Sequence, residues 1–475
     1  MLSCGCWIHG EEKSGGKRYP LTDPATAEVF GQGVDADAKL VDEAVESARE
    51  GFNGWRMLPV ARRAELLHAL ARRICREVEE MADLLRQEVG KPLKAARDEV
   101  LKTATHLDYF AEESRRQEGR IPLLGNPREQ VLIVREPVGV VAAITPYNYP
   151  LSTLACKLAP ALAVGCSVVA KPDEHTPLST VRLARLASEE GFPPGVFNVI
   201  TGFGPGAGRL LVNHPLPRLV TFTGSTETGK EILAVCSKYV RKAVMELGGN
   251  CPAIICADAP WRDILPQVVL QSLKNSGQYC YRIGRLYVAE EIADAFLGEL
   301  TRHLGRLRMG PPGAEDTDLG PLNHQEALFK VRAQVAEALS QGARLEYRSD
   351  LPGSCARGFY HPVTVLSGVT PEMSIFHQEV FGPVLSVVSF KDVPEAIRSA
   401  NSTSFGLAAY LFSGNLANAL DWAGQIEAGS VWINRIHQAY QEAPFGGMKE
   451  SGLGREKSRY GLEEYTELKT LYVSY

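Results

Sequence analysis

The chain has 475 residues, 45% of them hydrophobic and 23% charged, which is too long for one compact core and too apolar for disorder. Lys and Arg number 51 and Asp and Glu 56, a net charge of −5, so no basic surplus points to nucleic acid or an anionic membrane. Ten scattered cysteines without paired zinc-finger spacing, ten histidines without HExxH and no secretory leader lead us to expect no metal site and a reducing, cytoplasmic setting.

Taken in chain order, residues 36–118 read as helices. DEAVESAREGFNGWR and AELLHALARRICREVEEMADLLRQEVG carry apolar residues at helical spacing, and Gly90 ends the second. QVLIVREPVGVVAAITP reads as strands with a break at 137–139. No charge falls between residues 138 and 156, close to membrane-spanning length, but Pro146, Asn148 and Pro150 interrupt the stretch. A buried strand running into a buried loop is expected there.

From residue 140 strands and helices alternate: VGVVAAIT, then STLACKLAPALAVG, SVVAKP, TVRLARLASEEG, VFNVIT, GAGRLLVNH and RLVTFTG. That order predicts a parallel sheet covered on both faces. A second alternation begins after Ala253 with AIICA, a helix over 261–274 and RLYVA, and closes with PVLSVVSF, EAIRSANS, LAAYLFS and SVWIN. The fold class is therefore α/β, two doubly wound domains meeting near 247–251. The tail ELKTLYVSY reads as a strand that needs a partner, another subunit being one option.

Six places carry candidate chemistry. The glycines of TGFGPGAGRL lack G-x-G-x-x-G spacing and read first as a turn. In FTGSTETGKEIL a strand ends at Thr223-Gly224 and Ser225 starts a helix, which suits a pyrophosphate or an ordinary N-cap. In VVAKPDEHTP, Lys171 and Glu174 suit ribose hydroxyls or a solvated loop. Glu246 in MELGGN closes an apolar strand before a glycine pair, as a general base would or as an exposed glutamate would. Cys280 in NSGQYCYR lies in a short polar loop, whereas Cys166 and Cys256 sit in apolar runs. Asn148 in TPYNYP is a fixed amide, able to donate to an oxyanion or to form an Asx turn.

Together these segments resemble the hydrolytic, NAD(P)-dependent aldehyde dehydrogenase superfamily. The likeness runs through DPATAEVFGQ, EVGKPLKAARDEV, REPVGVVAAITPYNYPL, KPDEHTP, FTGSTETG, MELGGNCPAII, GQYC, HQEVFGPVL and PFGGMKESGLGRE, and Glu246 and Cys280 stand 34 residues apart. The resemblance implies Cys280 as nucleophile through a thiohemiacetal and a thioester, Glu246 as activator of the hydrolytic water, and Asn148 with the Cys280 N–H as oxyanion donors. It implies a nicotinamide dinucleotide held by Thr145, Pro146, Lys171, Glu174, Gly224, Ser225, Glu379 and Phe381. Glu174, with Asp173 beside it, favours NAD over NADP, although NADP stays open. The implied division is a cofactor domain over 1–118 and 138–248, an oligomerisation arm starting at 119–137, a catalytic domain over 249–446, and a return segment with a last arm strand over 447–475. A homodimer or homotetramer is expected.

YFAEESRR also resembles succinic-semialdehyde enzymes, with Arg116 the nearest match to a carboxylate-binding arginine. Lys274, Arg435 and His437 fall where the family lines its substrate tunnel, Cys156 replaces a bulky aromatic, and Tyr279 and Tyr281 flank the nucleophile. Converging cations imply a short anionic or polar aldehyde; solvated surface charges are the alternative. Competing readings are a silent scaffold protein, an esterase-like thiol hydrolase and a coenzyme A-acylating enzyme, the last disfavoured by Glu246.

Overall fold

In the computed structural model, which describes residues 2–126 and 128–475, the alternation after residue 140 builds a parallel sheet with a reversal of strand order at its centre. Val140–Ile144 lies between Ser167–Lys171 on one side and Leu219–Thr223 on the other, all parallel; Phe197–Val199 and Lys242–Glu246 extend the two sides. This is the doubly wound order, and its crevice opens at the carboxyl ends of the two central strands. The crevice therefore lies between Thr145, after the first strand, and Gly224, after its neighbour. Gly452–Leu453 closes one edge antiparallel to Lys242–Glu246, and Cys6–Ile8 and Glu11–Lys13 close the other.

A second sheet runs in the order Arg344–Arg348, Thr364–Ser367, Val384–Phe390, Ile283–Ala289, Cys251–Ile255, Ala408–Phe412, Ser430–Ile433. All its pairings are parallel except that of the first strand. Strands buried on both faces explain why AIICA and LAAYLFS read as unbroken apolar runs.

The amino-terminal helices lie where apolar spacing put them, with one difference. The expected second helix is two, Val60–Arg76 and Val78–Val89, broken at Glu77, whose φ of −106° and ψ of 20° leave the helical region. Gly90, at φ 80°, ends the second piece with its N–H on the Arg86 carbonyl. Asp37 caps Ala38–Trp55 by accepting from Leu40 N at 2.9 Å. Residues before 36, which showed no readable period, form five short strands. The uncharged stretch after Val138 is strand, loop and the start of the helix Pro150–Val164; no described helix is long and apolar enough to cross a membrane.

The tail finds its partner within the chain. Thr466–Ser474 pairs antiparallel with Glu129–Pro137, from Thr466 against Pro137 to Ser474 against Glu129. This two-stranded ribbon leaves Leu468, Leu471 and Tyr472 exposed.

Candidate active site

The loop carrying Cys280 is held in a conformation that its backbone resists. After the helix Trp261–Leu273, Asn275 and Ser276 take φ of 51° and 55° and Gly277 φ of 77°. Left-handed backbone at a serine costs about 1–3 kcal/mol and persists only when its surroundings fix it. Ser276 Oγ donates to the Gly320 carbonyl at 2.7 Å, and Asn275 Nδ2 donates to the Asn148 carbonyl at 3.1 Å. The Gln278 side chain accepts from Asn323 N at 2.9 Å and donates back to the Asn275 carbonyl at 3.2 Å. At Gly277 a Cβ would strike the Gly382 carbonyl. Cys280 emerges half-buried between the buried Tyr279 and Tyr281.

Asn148 faces this loop. Its Nδ2 uses one hydrogen on the Gln278 carbonyl at 3.0 Å, leaving the second without an acceptor among the described residues. Its backbone carbonyl accepts from Asn275 and, at 2.8 Å, from Lys91 Nζ. Lys91 is buried, paired with buried Glu99, and stacked 3.8 Å from the Tyr149 ring. Glu99 Oε1 in turn accepts from Leu151 N and Ser152 N in the first turn of Pro150–Val164.

Glu246 ends its strand near the thiol. The glycine pair that follows is wedged between site groups: a Cβ at Gly249 would stand 2.8 Å from the Cys280 carbonyl oxygen, and one at Gly248 3.0 Å from Glu379 Oε2. A Cβ on Gly446, from PFGG, would stand 2.8 Å from Glu246 Oε1. Both Glu246 oxygens are buried without a hydrogen-bond partner. Burial, then nearby Glu456, pushes this carboxyl well above the usual range against the pull of Lys157, Arg455 and Lys457. Burial, with Cys251, Glu246 and Glu379 near it, also raises the Cys280 thiol. Burial beside these acids favours the protonated form of Cys280.

The cofactor candidates divide into two groups. Thr145, Pro146, Lys171, Glu174, Gly224 and Ser225 line one cleft of about 770 Å³ at the sheet's crevice. Ser225 caps its helix, accepting from Thr228 N at 3.2 Å, and Lys171 pairs with Glu174 at 3.2 Å. Thr145 Oγ1 and Thr223 Oγ1 are buried and unpartnered, so the cleft holds unused polar atoms beside a helix amino terminus and a lysine–carboxylate pair. That donor set and volume fit a dinucleotide. Gly204 and Gly208, read from sequence as a turn, also line it. Burial raises Glu379, half-buried beyond the cleft, to about 6, while it accepts from Gly249 N at 3.0 Å. Phe381 meets the Tyr147 ring edge-on at 6.0 Å.

On the substrate side, the cationic group differs from the one expected. Arg116 is 64% exposed and pairs with Glu113 at 3.7 Å, and Arg435 is exposed and bonded to Gln438 and Tyr440. His437 is held by Tyr279 Oη at 2.8 Å, and burial with Lys457, Lys274 and Lys102 pushes it down to about 2, so it is neutral. Of the four expected cations only Lys274 remains, half-buried with its ammonium 5.2 Å from the Tyr279 ring. Cys156 Sγ lies 3.4 Å from the His106 ring. Lys457, unmarked in the sequence, faces this wall, and the buried Lys157–Glu456 pair stands near Glu246. Lys157 had a signal, as the lone charge in an otherwise apolar helix. Lys457 had none, sitting among other charges in GREKSR.

The family model described as "Aldehyde dehydrogenase family" matches residues 8–471. The chain belongs to that family. This aldehyde dehydrogenase is 38% identical to the 3-sulfolactaldehyde dehydrogenase of Pseudomonas putida over 98% of its own length and 95% of the relative's. It is 36% identical to an Escherichia coli enzyme named succinate-semialdehyde dehydrogenase [NADP(+)], over 98% and 97%. The crystal structure of betaine aldehyde dehydrogenase from Staphylococcus aureus in complex with NAD+ superposes with a TM-score of 0.97 at 33% identity, covering 100% of this chain and 95% of that one.

The buried Lys91 links the aldehyde dehydrogenase's helical layer to Asn148. Lys91→Met strands the Glu99 carboxylate and is expected to destabilise the protein by about 3–5 kcal/mol in equilibrium denaturation. Refolded protein that survives should lose turnover as well, because Asn148 loses the anchor of its carbonyl; full turnover in such a variant would remove that role.

Proposed function

We propose that this aldehyde dehydrogenase oxidises a short anionic aldehyde to its carboxylic acid, prefers NAD, and works through a covalent adduct on Cys280. One observation carries the reading: Asn148 holds the Cys280 loop through the Gln278 carbonyl with one N–H unused, and the unpartnered carboxyl of Glu246 is close enough to act on the half-buried thiol.

The steps follow from the proton inventory. Cys280 gives its proton to solvent water, and the sulfur attacks the aldehyde carbon. The oxyanion accepts from the free hydrogen of Asn148 Nδ2 and from the Cys280 backbone N–H. When bound, the oxidised nicotinamide supplies the hydride acceptor and a positive charge beside the thiol. Loss of hydride leaves a thioester on Cys280. Glu246 then takes a proton from water as it attacks the thioester carbon, and the acid departs as sulfur is reprotonated. A carboxyl buried against this wall supports hydrolysis over transfer to coenzyme A.

Glu174 and Asp173 support NAD. Burial acts to raise Asp173, but His175, bonded at 2.7 Å, outweighs it and holds the carboxyl below its usual range. Two acids in the cleft oppose a ribose 2′-phosphate. The two relatives named for sulfolactaldehyde and succinate semialdehyde act, by those names, on anionic aldehydes, and Lys274 supplies a cation of matching sign. The exposed Leu468, Leu471 and Tyr472 of the ribbon support self-association.

Three measurements test this reading. Glu246→Gln should release about one equivalent of reduced cofactor per subunit in a rapid-mixing experiment and then stall, with steady turnover down about 10²–10⁴-fold; undiminished steady turnover removes the glutamate from hydrolysis. Glu174→Gln should narrow the ratio of kcat/KM between NAD and NADP by about tenfold or more; an unchanged ratio assigns the preference elsewhere. Lys274 is lowered to about 8 by burial, Lys102 and Lys91, with Asp98 opposing and Lys457 adding. Its charge is present below that pH and lost above it, so KM for an anionic aldehyde should climb as pH passes about 8, while KM for a neutral one should not follow.

A further inference from the structure

Lys457 is the charged residue whose position the mechanism leaves unexplained. Its φ of 59° and ψ of 174° fall in a region that is essentially reserved for glycine. The residue is 8% exposed, and its neighbour Glu456 is already engaged by Lys157, so no carboxylate pairs with it among the described residues. A strained backbone and a buried, unpaired ammonium both oppose folding, so the side chain is retained for something outside the folded chain.

Its surroundings identify what. The ammonium lies 4.9 Å from the Phe445 ring; Phe445 stacks on Tyr281 at 4.5 Å, Tyr281 meets His437 at 4.8 Å, and His437 accepts or donates at Tyr279 Oη. Lys274 caps the far end over Tyr279. Two ammonium groups thus bracket one continuous aromatic wall, and the two tyrosines of that wall flank Cys280. The field of Lys457 is felt by His106, Cys156, His437, Cys280 and Glu246 alike. Glu246 is the acid that faces it at the bottom of the site, and Asp98 the acid that faces Lys274.

We propose that Lys457, acting with Lys274, is the specificity-determining seat for the anionic head group, carboxylate or sulfonate, of the aldehyde that Cys280 attacks. This deepens the function proposed above and rests on it for the identity of the reacting end. The aromatic wall excludes water around the head group, which strengthens a charge-assisted hydrogen bond from either lysine.

Lys457→Gly tests the seat without threatening the fold, since glycine suits that backbone; Lys457→Met keeps the stem and removes only the charge. Protection of Cys280 from iodoacetamide by succinate or by propane-1-sulfonate needs neither cofactor nor turnover. In both variants the half-protecting concentration should rise at least about tenfold, and the arm that shifts more identifies carboxylate or sulfonate as the fitted head. In turnover, the ratio of kcat/KM for succinic semialdehyde over butanal should fall by a similar factor, through KM. Equal protection in variant and wild type overturns the seat. So does an equal loss of kcat for both aldehydes, because the ammonium would then act on Glu246. A wild type that oxidises neither aldehyde refutes the proposed function, and the protection experiment alone then decides the seat.

Discussion

The buried ion pair of Lys91 and Glu99 sets the geometry on which the rest of the site depends. Neither side chain reaches solvent, so the pair is stable only while further polar groups share its charges. Those groups are the Asn148 carbonyl and the first amides of Pro150–Val164. The electrostatic need of one pair thus fixes a helix start, the position of Asn148 and, through Asn275, the strained turn before Cys280. Removing charge from this spot would relax all three at once.

The same dryness governs the chemistry. Burial raises both the Cys280 thiol and the Glu246 carboxyl, favouring the protonated form of each. A neutral thiol is protected from adventitious oxidation and metal capture.

Sequence and structure agree where periodicity was strong. The βαβ units after residue 140 were legible because parallel strands buried on both faces leave apolar runs of distinctive length. The amino-terminal strands were not, because three-residue strands such as Cys6–Ile8 are too short to display a period. Glu246, Asn148 and Cys280 were individually ambiguous, and only the family resemblance assigned them roles. The substrate side misled because charge in a sequence says nothing about burial: Arg116 and Arg435 are exposed and bonded to their neighbours, and burial, reinforced by nearby lysines, keeps His437 neutral. Lys457 was invisible because a φ of 59° leaves no trace in residue type when the residue is not glycine.

The return of the chain's last segment to its first sheet has a consequence for how the protein is made. Lys157, in the middle of a buried helix, is neutralised by Glu456, 299 residues later, and the edge of the sheet beside Glu246 is covered by Gly452–Leu453. A ribosome adding about 5–20 residues per second finishes the first half of this sheet well before those partners exist. Until then the nascent chain carries an unpaired internal lysine and an open strand edge. That interval is one in which a chaperone has both a charge and an edge to hold.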